Sequence, residues 1–162
     1  MQSSYQFFIV TFNTLSDIIL LMAKKKETKQ KSGQVIIPGN HPNPPMSHEV
    51  NAALALANHY HCTVEFLIPV DDYMRKSADI VMHGVAWEIK SPIGASKSTI
   101  GNQFKTASKQ SGNIVIDTRR CALNYDKIEK AVLFEMKKRS TIKKVLLIRD
   151  EGNLENIVEI KK

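Results

Sequence analysis

The chain has 162 residues, 43 % of them hydrophobic and 24 % charged, enough for one folded domain plus a tail. Its net charge of +7 suits a polyanionic partner without identifying one. Two cysteines, Cys62 and Cys121, exclude a disulfide framework and suit a reduced cytoplasmic setting, and no run of about 20 apolar residues supports a membrane span.

Residues 5–22 are fairly apolar but are broken by Thr11, Asn13, Thr14, Ser16 and Asp17, and no basic stretch precedes them. That pattern argues against a signal peptide. Met22, followed by Ala23 and three lysines, reads as a start of translation, which would make residues 1–21 an upstream extension. An extra helix on the domain explains them equally well. Residues 23–33 are lysine-rich and read as a disordered arm. The organisation is therefore an N-terminal extension and flexible arm over 1–33 and a folded domain over 34–162.

Val35-Ile36-Ile37 predicts a short strand, and Pro38 to Pro45 a stiff loop. Ser47 is a good N-cap for a helix running to His61, with Val50, Ala53, Leu54 and Ala57 on its apolar side. Glu49 falls in the first turn, where a carboxylate favours the helix dipole whether or not it has another role. Thr63 to Pro69 predicts a strand, and Asp71 to Ala78 a polar connection.

Asp79 to Lys90 is the most informative stretch. His83-Gly84 suits a two-residue hairpin turn, which pairs Met82 with Val85 and Asp79 with Glu88. Asp79, Val81, Ala86, Glu88 and Lys90 then share one face, and Ile80, Met82, Val85, Trp87 and Ile89 the other. Two carboxylates opposite each other on a ladder have Cβ atoms roughly 5 Å apart and repel. A divalent cation removes that cost, since Mg²⁺ takes one or two carboxylates together with waters and phosphate. An edge hairpin with a solvated polar face is the plainer alternative.

Ser96 or Ser98 starts a polar helix to about Ser111, and Asn113 to Thr118 is an apolar strand. Tyr125 to Arg139 predicts a helix with Ile128, Ala131, Val132, Leu133 and Met136 on or near its buried side. Lys144–Arg149 and Ile157–Lys161 predict strands joined through a turn at 151–153. This alternation implies an α/β fold, a mixed central sheet flanked by helices.

The order helix, strand, hairpin, helix, strand, with Asp79…Glu88-Ile89-Lys90 on the hairpin, resembles the PD-(D/E)xK nucleases and their restriction-endonuclease-like core. The motif proline is replaced by Ser77-Ala78 before Asp79. A closer resemblance covers about residues 34–120. His41 to Glu49, Ala78-Asp79-Ile80, Trp87 to Pro92 and Asn113 to Arg120 look like the C-terminal tRNA-nuclease domain of contact-dependent growth inhibition toxins.

The resemblance implies a metal-dependent endonuclease cleaving RNA, with tRNA the expected substrate. Asp79 and Glu88 would hold Mg²⁺ or Mn²⁺, Glu49 would be a third ligand or supporting group, and Lys90 would act on the attacking water or the transition-state charge. Lys97, Ser98, Asn102, Lys105 and Lys109 on the polar helix, and Arg119 and Arg120 after the strand, are candidate nucleic-acid contacts. A solvated helix and an exposed strand end explain the same residues. Asp117 suits either the site or a turn, and His41 is a candidate for lining the cleft. His59, His61 and Cys62 form a compact candidate zinc set, although His59 and His61 do not share a helix face. Expected partners are tRNA or another nucleic acid and an immunity or inhibitor protein. The rival readings are a DNase, a non-catalytic nucleic-acid-binding or regulatory protein of the same fold, and a protein-interaction module.

Overall fold

Alternating and β-branched runs become strands, and the stretches of helical period between them become helices. The structure, a computed structural model, describes residues 32–69, 77–96, 98–151 and 154–162. The extension and most of the lysine arm, the polar connection over 71–76, Lys97 and the turn residues Gly152 and Asn153 lie outside the described residues. In chain order the elements are β1 (Gln34–Ile36), α1 (Ser47–Tyr60), β2 (Thr63–Phe66), β3 (Ile80–Met82), β4 (Val85–Lys90), α2 (Thr99–Ala107), β5 (Asn113–Asp117), α3 (Tyr125–Lys138), β6 (Lys144–Glu151) and β7 (Leu154–Lys161).

Among the described residues the strands form one mixed seven-stranded sheet ordered β1-β2-β3-β4-β5-β6-β7. The pairs β1–β2, β4–β5 and β5–β6 are parallel, and β2–β3, β3–β4 and β6–β7 are antiparallel. The expected α/β class is the one observed. β5 is buried on both faces, and its run Ile114-Val115-Ile116 is continuously apolar, as a central parallel strand requires.

Each face of the sheet has its own core. On one face Ala52, Ala53, Leu56 and Ala57 of α1 pack over Val64, Ile80, Trp87, Ile89, Val115, Leu146 and Ile148. On the other face Ile100 and Phe104 of α2 and Ile128, Val132 and Met136 of α3 cover Ile114, Ile116, Val145 and Leu147. Where the chain leaves the arm, Gly33 passes the C-terminus of α1 so closely that a Cβ would stand 2.0 Å from the Ala57 carbonyl carbon.

The strand directions decide where a ligand can bind. β1, β2, β4, β5 and β6 run the same way, so their C-terminal ends share one edge. The helices α1, α2 and α3 each return the chain between two of those strands, so all three begin at that edge. Open α/β sheets bind ligands beyond the carboxyl ends of their strands.

Several boundaries differ from expectation: β2 stops at Phe66 instead of Pro69, and β7 begins at Leu154 instead of Ile157. Met46, not Ser47, is the N-cap of α1, and its N–H donates to Glu49 Oε2 at 2.8 Å. α2 ends at Ala107 and continues as turn to Gln110, so Lys109 falls outside the helix.

The hairpin turn is the expected one. His83 (φ 52°) and Gly84 (φ 71°) are both left-handed, as a type I′ turn demands. The register is Met82↔Val85, Val81↔Ala86 and Ile80↔Trp87. Gly84→Ala places a side chain on a left-handed backbone and is expected to cost about 1–2 kcal/mol, read as a lowered urea midpoint at unchanged m-value.

Candidate active site

Asp79 sits one residue before β3, and the register carries it opposite Glu88. Its N–H donates to the Trp87 carbonyl at 3.1 Å, and its own carbonyl accepts from the Leu67 N–H at 2.9 Å. Its Oδ2 accepts from the Ile89 N–H at 2.7 Å. The side chain thus takes a ladder amide that a longer β3 would have used, and this fixes the carboxylate at the strand end.

Glu88 is completely buried. Its Cα partner on β5 is Ile114 and that of Lys90 is Ile116, so Glu88 and Lys90 lie on the face covered by α2 and α3. Lys90 Nζ donates to Glu88 Oε1, while Glu88 Oε2 is buried and meets no N–H or hydroxyl donor among the described residues, so its hydrogen bond is the one a protonated Glu88 makes to Asp79. A buried carboxylate oxygen left unsatisfied is costly, so the ionised form of Glu88 is disfavoured unless a proton or a cation stands between it and Asp79.

The electrostatics follow from burial. Desolvation and the Asp79 charge push the Glu88 carboxyl up to about 7, against the opposing pull of Lys90. Asp79 is also raised, first by burial and then by the Glu49 charge, while the Ile89 N–H and Lys90 hold it down. A protonated Glu88 can donate to Asp79, which raises Glu88 further and lowers Asp79. Near neutral pH the pair therefore shares a proton that resides on Glu88. A dication replacing that proton meets two adjacent carboxylates, a donor set that suits Mg²⁺ or Mn²⁺.

The other candidates divide. Glu49 spends Oε2 on the Met46 N–H, although its charge reaches Asp79. Among the described residues no group of three His, Cys, Asp or Glu side chains converges as a ligand set, so neither the three-carboxylate cluster nor the His59–His61–Cys62 set is formed. His59 instead stacks edge-on against Tyr60. His41 Nε2 lies 3.1 Å from the Leu67 carbonyl, next to the strand that holds Asp79. Ser98 hydrogen-bonds Ser96 at the exposed start of α2. Asn102 and Lys105 are exposed, opposite the buried Ile100–Phe104 side of α2, and so face away from the sheet. Arg119 grips Asp117 through Nε and Nη2, both at 2.8 Å, and Asp117 is buried on the α1 side of β5. Arg120 is exposed.

Sequence reasoning missed Thr118, Tyr125 and Arg149. They help line a cavity of about 260 Å³ over the ends of β5 and β6 and the start of α3. They come from three separate segments, and no local spacing links them.

The class of protein is an α/β domain with an acid pair and a lysine at the C-terminal edge of its parallel strands. The family model of the contact-dependent growth inhibition CdiA C-terminal domain matches residues 76–154. That span holds Asp79, Glu88 and Lys90 and leaves out α1 with Glu49. Among solved structures, a chain described as the CdiA-CT/CdiI toxin and immunity complex from Burkholderia pseudomallei is similar, with a TM-score of 0.57 and 19 % identity. The similarity covers 80 % of this chain and 100 % of that one, and at such identity it is a likeness of fold. No curated protein matches the sequence. No helix among the described residues is long and apolar enough to cross a membrane.

A carboxyl raised to about 7 in the fold keeps its proton where the unfolded chain, with an ordinary value of 4.5, has lost it. Its contribution to stability is therefore full below about pH 4.5 and is lost as pH rises through about 7. In EDTA, the melting temperature of the wild type is expected to fall from pH 5 to pH 8, and that of Glu88→Gln to fall clearly less. Equal declines in the two proteins would contradict the protonated pair.

Proposed function

We propose that the protein is a metal-dependent endonuclease of toxin type, cutting RNA, with tRNA as its substrate. The observation that carries this is the pairing of half-buried Asp79 with fully buried Glu88, held beside Lys90 at the edge where α/β sheets take their ligands.

Asp79 and Glu88 would hold the cation, Asp79 presented by the Ile89 amide and Glu88 by β4. When bound, Mg²⁺ or Mn²⁺ polarises a phosphate and lowers the pKa of a water. Lys90 is half-buried and shares the face of Glu88, so its ammonium is placed to meet the negative charge that develops on a phosphate attacked there. Glu49 supports the site by capping α1 and by its field at Asp79. The RNA and tRNA assignment rests on the motif resemblance over residues 34–120 and agrees with the +7 charge. The likeness to a chain from a toxin and immunity complex supports an immunity protein as a partner.

The test is incubation of the full chain with total tRNA, plasmid DNA and Mg²⁺, with EDTA as control. Cleavage of tRNA alone, abolished by EDTA, is expected. Asp79→Asn and Lys90→Ala should each lower the rate at least 100-fold with circular dichroism unchanged, in line with the loss of a charge-stabilising group. Wild-type rates in both variants would end this reading. Plasmid cleavage would move it to a DNase, and salt-sensitive tRNA binding without turnover to a binding protein.

A further inference from the structure

The row of side chains that begins with the acid pair does not stop there. On β5 the residues facing α2 and α3 are Ile114 and Ile116, so Thr118 continues the same face. On β6 they are Val145 and Leu147, so Arg149 continues it there. Thr118 N–H donates to the Ile148 carbonyl at 2.8 Å, which fixes β5 and β6 side by side at this level. Lys90 is the partner of Ile116, so Thr118 stands one strand over and roughly 7 Å further along, from the strand rise. The cavity lined by Thr118, Leu123, Tyr125, Ile128 and Arg149 therefore lies on the same side of the sheet as Lys90, one to two strands over and further toward the strand ends. Cys121, which also lines it, donates to the Gly94 carbonyl in the loop that follows β4.

Its chemistry is specific. Leu123 and Ile128 give an apolar wall. The Arg149 guanidinium lies 4.1 Å from the centre of the Tyr125 ring, forming a ready-made stack. Two cations, Arg119 and Arg149, are balanced by Asp150 at the rim and Asp117 behind Arg119. A pocket balanced in this way does not favour a bare phosphate. It favours a flat, uncharged ring with hydrogen-bonding edges. The volume of about 260 Å³ is below the roughly 300–1,000 Å³ of drug-sized sites and suits one small ring system.

We infer that this cavity binds one nucleobase of the nucleic-acid substrate, adjacent to the phosphate at the acid pair. This rests on the nuclease reading and sharpens it. A base can enter only when unstacked, and proteins read such bases by stacking them on aromatic rings or guanidinium planes. The substrate is therefore cut beside an unpaired nucleotide.

The test separates this inference from the nuclease reading by working first without metal. The full chain in EDTA is titrated with adenosine, guanosine, cytidine, uridine and inorganic phosphate, followed by amide NMR shifts. At least one nucleoside should saturate shifts at Thr118–Tyr125 and Arg149, and phosphate should not reproduce them. Arg149→Gln and Leu123→Trp, which remove the stack and fill the cavity respectively, should each weaken that binding at least tenfold. If Arg149→Gln does not fold, Leu123→Trp decides. In the Asp79→Asn background, a single-stranded oligonucleotide should bind at least tenfold tighter than its duplex, and Leu123→Trp should erase the difference.

No nucleoside shifts, phosphate giving the same shifts, or variants that bind like the wild type would overturn the inference. Nucleoside binding with no cleavage of any nucleic acid under Mg²⁺ would keep the pocket and lose the nuclease. Cleavage with wild-type KM in both variants and no preference for single strands would keep the nuclease and lose the pocket.

Discussion

Asp79 and Glu88 stand across a tight β-turn, and everything at this edge of the sheet answers to the repulsion between them. In water two such groups would share the cost with solvent. Here Glu88 has no exposure at all, so the cost must be met inside the protein. A proton between the carboxyls meets part of it, the Lys90 ammonium another part, and the Ile89 amide steadies Asp79. That arrangement holds only while Glu88 keeps its proton, because the ionised Oε2 meets no N–H or hydroxyl donor among the described residues. On the proposed reading a second cation would take the place of that proton, satisfying the oxygen and removing the repulsion together.

The sheet can carry this strain because its register is over-determined. The left-handed His83-Gly84 pair sets the turn, and the turn sets which residues oppose. Ile80, Trp87 and Ile89 lock into the core under α1, so a slip by one residue would drive those side chains out and Glu88 into an apolar layer. The penalty for moving the acid pair apart is thus the loss of a core. Lys90 benefits from the same rule. One residue separates it from Glu88, so the pleat keeps both on the side facing α2.

Much of this was legible in the chain. The hairpin, its turn and its register follow from His-Gly flanked by period-2 alternation, and the class of fold from the order of strand and helix signals. Burial was not legible. Sequence places Glu88 on a polar face, but only the packing of α2 and α3 makes that face an interior. Alternation puts Val85 on the apolar face, yet it is 40 % exposed, while its partner Met82 is buried. Arg119 reads as a phosphate contact, while the geometry commits its guanidinium to Asp117, two residues away on the strand. The Thr118–Tyr125–Arg149 cavity had no sequence signal, since it is assembled by the parallel pairing of β5 and β6 and the start of α3.

The placement of the site also explains why it sits on strands and not on loops. A loop could hold two carboxylates, but it would relax them apart and the field would fade into solvent. Strands with cores on both sides cannot relax. They keep the two acids opposite each other, exclude water from Glu88 and hold Lys90 at a fixed offset, which is what preorganised charge stabilisation requires. The price is a local conflict between fold and electrostatics. Such conflicts concentrate where a protein does chemistry, and here the conflict is confined to one end of the hairpin, at the edge where the three helices begin.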